Sequence, residues 1–369
     1  MGSRPVEPAV TVRTVGVEEE FLLVGASSGE PVPIGPGIAS GSDDDGIKGE
    51  FKQEQLEICS RPTDSLEHLS ADLRRLRDAA ADLAGRHDAV MVATGTWPGR
   101  HTPSAGESDR FTRIGEEFGE LALQQLTCGT HVHVAVASPE EGIRVLDRIR
   151  PWLALLTALS ANSPHWQGRD TGHASWRSVV LSQLPTAGPT PVWGDLDAYR
   201  GAARAVIDAG GAFDEGMLYY DARLSARYPT VEVRVTDVCP DPDVAVAVAG
   251  LCRALVDTAA SPTGPAREGD HPSTLALRAA SWRAARHGVA ERLVDPATRD
   301  LVPARQALES LLAHVGDALD AHDDRELVTD VVERALVDGS AADRQRRHVD
   351  PQAPWRGLVD FQVGAARLR

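Results

Sequence analysis

Three short segments of this chain alternate apolar side chains with ionisable ones, and that alternation constrains the fold more than any other feature. In Gly16–Leu22, Glu18 and Glu20 point one way while Val17 and Phe21 point the other. In Thr130–Val136, His131 and His133 oppose Val132, Val134 and Val136. In Val231–Val235, Glu232 and Arg234 oppose Val231, Val233 and Val235. A side-chain period of two is the signature of a β-strand with one face on a core. A fourth segment, Gln53–Ile58, sorts Leu56 and Ile58 from Glu57, Gln55 and Gln53. One such strand is usually the wet face of an antiparallel sheet. Several together are different, because the polar side carries glutamate, histidine and arginine in place of the usual lysine, threonine and serine.

If these strands are neighbours, their carboxylates converge. Carboxylates at close range raise one another's pKa or demand a counter-charge, and a divalent cation is the natural one. Oxygen donors with an imidazole suit Mg²⁺ or Mn²⁺ better than Zn²⁺.

The rest of the chain sets the frame. Residues 1–10 read as a loose tail, and 11–369 as one domain. Strands are expected at Thr11–Val24, Glu50–Ser60, Ala89–Thr94 and Thr130–Ala137, with a strand pair over Leu218–Asp237 turning at Tyr228–Pro229. A helix with Leu66, Leu69, Leu73, Leu76 and Leu83 on one face should start at an Asp64 cap, with Glu67 completing a capping box. Gly106–Leu126 reads as helical in its second half, Glu140–Ala161 as one long helix, and Leu196–Ala209 as another. From about residue 243 the chain is almost entirely helical. Early strands and late helices favour α+β over a doubly wound sheet.

The formal net charge of -16 excludes a basic nucleic-acid-binding surface, though not an anionic nucleotide held locally by metal and arginine. Lysine occurs only at positions 48 and 52, and no G-x-x-x-x-G-K-[ST] loop exists. Phosphates would therefore be met by arginine, histidine and metal rather than by a P-loop. The four cysteines show no C-x-x-C pair, which fits reduced thiols in the cytoplasm. No stretch is apolar enough for a membrane span.

The segments "TVGVEEEFLLV", "GTHVHVAV", "ANSPHWQGRDTGHASWRS" and "ARYPTVEVRVTDVCPDPD" resemble the carboxylate–amine ligase branch of the glutamate–cysteine ligase family. The resemblance runs from about Val15 to the C-terminus. It implies an α+β, glutamine synthetase-like core: a curved antiparallel sheet with helices on its outer face and a funnel over the other. It implies ATP, Mg²⁺ or Mn²⁺, glutamate or a similar carboxylate, and cysteine or another amine, without nucleic acid or membrane. By that comparison Glu18, Glu20, Glu57, His131 and Glu232 are metal ligands. Glu50 matches a further acidic position, although seven residues from Glu57 is an odd separation and needs a bulge or bend. His133 and Arg234 match phosphate-side groups, and Asn162, Arg169 and Arg177 belong to a substrate-side loop. The implied chemistry joins a γ-carboxylate to an amine through an acyl-phosphate. A phosphotransferase of the guanidino-kinase type and a non-catalytic nucleotide- or metal-binding relative stand as alternatives. A homo-oligomer, in the simplest case a dimer, is the expected assembly.

Overall fold

A computed structural model describes residues 12–104, 106, 109–261, 271–350, 352–354, 357, 358 and 361; the expected loose tail, residues 1–10, lies outside them. In chain order the first half comprises β1 (Val15–Gly25), α1 (Gly35–Ser40), β2 (Ile47–Gly49), β3 (Gln55–Cys59), α2 (Leu66–Gly85), β4 (Ala89–Val92), α3 (Asp109–Phe118), α4 (Glu120–Leu123), β5 (Gly129–Ala135), α5 (Pro139–Ile149), α6 (Leu153–Ser160), β6 (His165–Trp166), β7 (Arg169–Asp170) and α7 (Trp176–Leu181). The second half comprises α8 (Leu196–Asp208), β8 (Ala222–Leu224), β9 (Thr230–Asp237), α9 (Pro242–Ala260), α10 (Thr274–His287), β10 (Arg292–Val294), β11 (Leu301–Pro303), α11 (Ala304–His314), α12 (Gly316–Ala321), α13 (Arg325–Asp338) and α14 (Ala341–His348).

The main sheet runs β2-β3-β1-β5-β9-β8, antiparallel throughout. Its long first strand organises it. One edge of β1 pairs with β3; the other pairs with β5 along Val15–Glu19 and with β4 along Leu22–Gly25. The apolar residues of β1, β3, β5 and β9 enter one hydrophobic core with α2, α5, α6 and α9. α9 is apolar almost all round because it is covered by the sheet on one side and by α2, α5, α12 and α13 on others.

Local chemistry corrects several expected boundaries. The cap of α2 is Ser65, not Asp64: the extended backbone at Ser65 brings its hydroxyl to the N–H of His68 at 3.3 Å. The long helix expected over 140–161 is two, joined by a 3-10 turn at Arg150–Trp152. Pro151 has no N–H to continue the ladder. The helical part of 106–126 begins at Asp109, in the first half of that segment. No helix among the described residues is long and apolar enough to cross a membrane.

Glu19 lies on the core side of β1, between Glu18 and Glu20, and is fully buried. Arg77 on α2 grips it with both arms, Nη2 to Oε1 at 2.6 Å and Nε to Oε2 at 2.8 Å, and also donates to Cys239 O and Pro240 O. This pair fastens α2 to the back of the strand that carries Glu18 and Glu20. Glu19→Gln leaves the guanidinium buried without its counter-charge, at an expected cost of about 3 kcal/mol. Urea unfolding checks this; a loss below about 1 kcal/mol would show that the pair does not hold the helix.

Candidate active site

The polar face of the sheet gathers the side chains that the two-residue period sorts away from the core. Strand register sets Glu18 opposite His131, Glu20 opposite Glu57, and His133 opposite Glu232. They line a cavity of about 700 Å³ together with Glu50, Arg177 and Arg234. One irregularity matters. Between Thr130 and Val132 the β5–β9 register shifts, so that Arg234 and Val235 share the place opposite His131. This bulge turns Val235 toward the cavity beside Arg234, contrary to simple alternation.

The cavity is acidic at one end. Carboxylate oxygens of Glu20, Glu50 and Glu57 lie within 4.8 Å of one another. Glu50 reaches this group because β2 ends at Gly49 and the chain turns before β3, so its parity is independent of Glu57. Burial, then the charge of Glu50, pushes Glu20 up to about 7, against the N–H of Gly129, which donates to Glu20 Oε2 at 2.7 Å. Burial and the neighbouring Glu50, Glu18 and Glu20 raise Glu57 well above its ordinary range; burial likewise raises Glu50. These carboxylates lack sufficient positive charge around them.

Glu18 joins a second group with His133 and Glu232, again with ligand atoms within 4.8 Å. Burial acts to raise Glu18, but His131 and His133, at 3.8 and 3.5 Å, more than offset it and its carboxyl stays ionised. His133, rather than His131, supplies the imidazole of this group. Burial and then Arg234 push His131 down to about 4, so it is neutral near pH 7.

The opposite side is basic. Arg177, in the first turn of α7, lies buried beneath its own helix. Its Nη2 donates to Arg234 O at 3.2 Å and approaches His131 Nε2 at 3.5 Å, and Nη1 lies 3.9 Å from Asp237 Oδ1. Gly129 allows this crossing: a Cβ there would sit 2.2 Å from Arg177 Nη2. Arg234 pairs with Glu232, which also accepts Arg223 Nε at 2.8 Å. Burial is again outweighed by Arg234 and Arg223, so Glu232 sits well below the ordinary carboxylate range.

Two residues of the expected set do not reach the cavity. Asn162 is fully buried behind it. Its Nδ2 donates to Ala93 O and Val238 O at 3.0 and 2.9 Å, and its Oδ1 accepts Gln345 Nε2 at 3.2 Å. Arg169 is exposed on the β6–β7 hairpin. Conversely, Arg223 and Asp221 line the cavity without having been singled out in the sequence. They alternate with Ala222 and Leu224, but a strand of three residues is too short for its period to stand out.

An antiparallel sheet with helices on its apolar face, and a carboxylate- and arginine-lined cavity on its polar face, defines a glutamine synthetase-like ligase fold. The chain belongs to the glutamate-cysteine ligase family 2 (GCS2), whose family model matches residues 14–365. It is 44% identical over 353 residues to a Streptomyces coelicolor protein named "Putative glutamate--cysteine ligase 2", covering 94% of this chain and 97% of that one. A Francisella tularensis glutamate–cysteine ligase solved in complex with AMP superposes with a TM-score of 0.68 at 13% identity, over 97% of this chain and 93% of that one. A bifunctional glutathione synthetase from Pasteurella multocida gives the same TM-score at 15% identity, over 96% of this chain and 53% of that one. At these identities the two structures speak to the fold.

Proposed function

We propose that this protein is an ATP-dependent carboxylate–amine ligase that forms a γ-glutamyl amide, with cysteine or another amine as acceptor. One observation carries the reading: a single cavity joins an under-neutralised carboxylate cluster to a pair of arginines, the charge pattern that metal-bound triphosphate requires.

The residues fit a divalent cation. Glu20, Glu50 and Glu57 offer oxygen donors within 4.8 Å of one another, and burial first and neighbouring carboxylates second raise their pKa values more than Arg177, Arg234 and Lys48 lower them. Glu18 and Glu232, with His133 as the imidazole, would hold a second. Mg²⁺ or Mn²⁺ bound there would neutralise phosphate oxygens and polarise the transferring phosphoryl group.

In the first half-reaction an oxygen of the substrate γ-carboxylate attacks the γ-phosphorus of ATP. The bond to the β–γ bridging oxygen breaks, giving ADP and an acyl-phosphate. Arg234 and Arg177 present fixed N–H donors to the charge on the phosphoryl oxygens. In the second, a neutral amine attacks the acyl carbon, inorganic phosphate leaves, and the amine proton is lost. Seating both reactions over a sheet face walled by α7 and α10 limits access of water to the acyl-phosphate.

The deciding experiment is phosphate release with ATP, Mg²⁺, glutamate and a panel of amines. ADP, phosphate and an amide in equal amounts support the ligase reading. A stable phosphorylated substrate would replace it with a phosphotransferase. Metal binding supplies a further expected result. Because protons compete for Glu20, Glu50 and Glu57, Mn²⁺ should bind more tightly as pH rises through about 7, releasing protons as it binds. Calorimetry in buffers of different ionisation enthalpy reads both effects; affinity flat from about pH 6 to about pH 8 would remove these carboxylates from the metal site.

A further inference from the structure

Where β8 meets the cavity, one carboxylate has no partner among the described residues. Asp221 immediately precedes the edge strand β8. Its backbone is fixed on both sides: its N–H donates to Gly188 O at 3.1 Å, and its carbonyl accepts the N–H of Arg234 at 2.9 Å. Its side chain lines the cavity and accepts no hydrogen bond among the described residues. Arg223, two residues on and facing the same way, is fully engaged: Nε on Glu232 and Nη1 on the carbonyls of Gly216 and Glu215.

Helix α10 forms another wall. Arg278, Ser281, Trp282 and Ala285 line the cavity, and their three-one-three spacing puts them on one helical face. Among the described residues, Arg278 makes no hydrogen bond and no ion pair. Its guanidinium is the charge that acts on Asp221, yet their atoms lie beyond the 4.0 Å of an ion pair. Asp221 and Arg278 thus face one cavity with a gap between them, and among the described residues neither makes an ion pair.

We propose that Asp221 and Arg278 together hold the zwitterionic head group of an α-amino acid substrate, the Asp221 carboxylate taking its ammonium and the Arg278 guanidinium its carboxylate. The assignment rests on the ligase reading above and names the groups that recognise the amino-acid end of a substrate. A lone metal cation is drawn instead to the glutamate cluster, and a lone anion to Arg177 and Arg234. A zwitterion is the ligand that satisfies both groups at once. Burial pushes the Asp221 carboxyl up to about 7 against the pull of Arg278, and a bound ammonium would hold it ionised.

Binding tests this without turnover. Glutamate and each common amino acid are titrated calorimetrically into the full-length protein. For whichever binds, one analogue lacking the α-amino group and one lacking the α-carboxylate follow; for glutamate these are glutarate and 4-aminobutyrate. Asp221→Asn is expected to weaken the amino acid by about tenfold or more, leaving the analogue without the amino group within about twofold. Arg278→Gln is expected to weaken the amino acid and the deaminated analogue alike, leaving the analogue without the α-carboxylate within about twofold. Arg278 is exposed, so its replacement decides the matter even if Asp221→Asn does not fold. Equal weakening of all three ligands, no weakening, or no common amino acid bound would overturn the assignment. Binding with this pattern but no ATP-dependent phosphate release would instead overturn the ligase reading alone.

Discussion

Glu20→Gln is expected to make the metal-free protein more stable while lowering ATP- and Mg²⁺-dependent phosphate release by roughly three orders of magnitude. Both effects come from one cause. The Glu20 carboxyl is raised from its ordinary 4.5 to about 7 in the folded protein, by burial first and by Glu50 second. Between those values the folded state keeps a proton that the unfolded chain has lost. Stability without metal therefore falls as pH rises from about 4.5 to about 7, and stays at the lower level above that. The loss is about 3 kcal/mol. A neutral amide removes the penalty, so the variant gains at pH 8 and loses that part of the pH slope. A divalent cation removes the same penalty in the native sequence, and only the native carboxylate then supplies a ligand. Urea unfolding of EDTA-treated proteins at about pH 5 and about pH 8, beside phosphate release at saturating Mg²⁺, measures both. A variant that keeps full activity would remove Glu20 from the metal site. An unchanged pH slope would mean that the carboxyl is not strained by its neighbours.

The face of the sheet was readable because strand periodicity applies to charged side chains as well as apolar ones. Glu18, Glu20, His131, His133 and Glu232 all meet at one cavity as their alternation with Val17, Val132 and Val231 implies. The readings that failed lie where periodicity is interrupted. Val235 turns to the cavity because a bulge inserts one residue opposite His131. Glu50 arrives despite its odd spacing from Glu57, because residues between them form a turn and not a strand. Arg223 sits on a strand too short to show a pattern, and Asp221 just before it. Asn162 and Arg169 belong to a loop, where no period relates sequence position to direction. Asn162 is consumed by the backbone carbonyls of two other segments, and Arg169 faces solvent on a hairpin. Helix ends depended on single residues: Ser65 rather than Asp64 caps α2, and Pro151 divides what apolar periodicity alone reads as one helix.

Replacing Arg234 by Met should reduce turnover by about 10²–10³, whereas Arg169→Ala should leave turnover and the KM for ATP within about twofold. Arg234 and Arg223 both hold Glu232, so the group as a whole carries one net positive charge in the cavity. Without Arg234 the Arg223–Glu232 pair persists, at 2.8 Å, and the buried carboxylate keeps a counter-charge. The loss should therefore appear in kcat with little change in unfolding. Arg234→Lys separates charge from geometry: it keeps the positive charge but not the planar fork, and should fall between the native protein and Arg234→Met. Arg169 offers the opposite contrast, a cation on the β6–β7 hairpin that the fold turns outward. Asn162→Ala completes the set. It removes the donor to the carbonyls of Ala93 and Val238 and the acceptor of Gln345 Nε2 in the interior, so about 3 kcal/mol of stability should go while the KM for ATP of the folded fraction holds. A tenfold rise in that KM on replacing Arg169 would move the nucleotide from the sheet face to the hairpin, and the cavity reading would go with it.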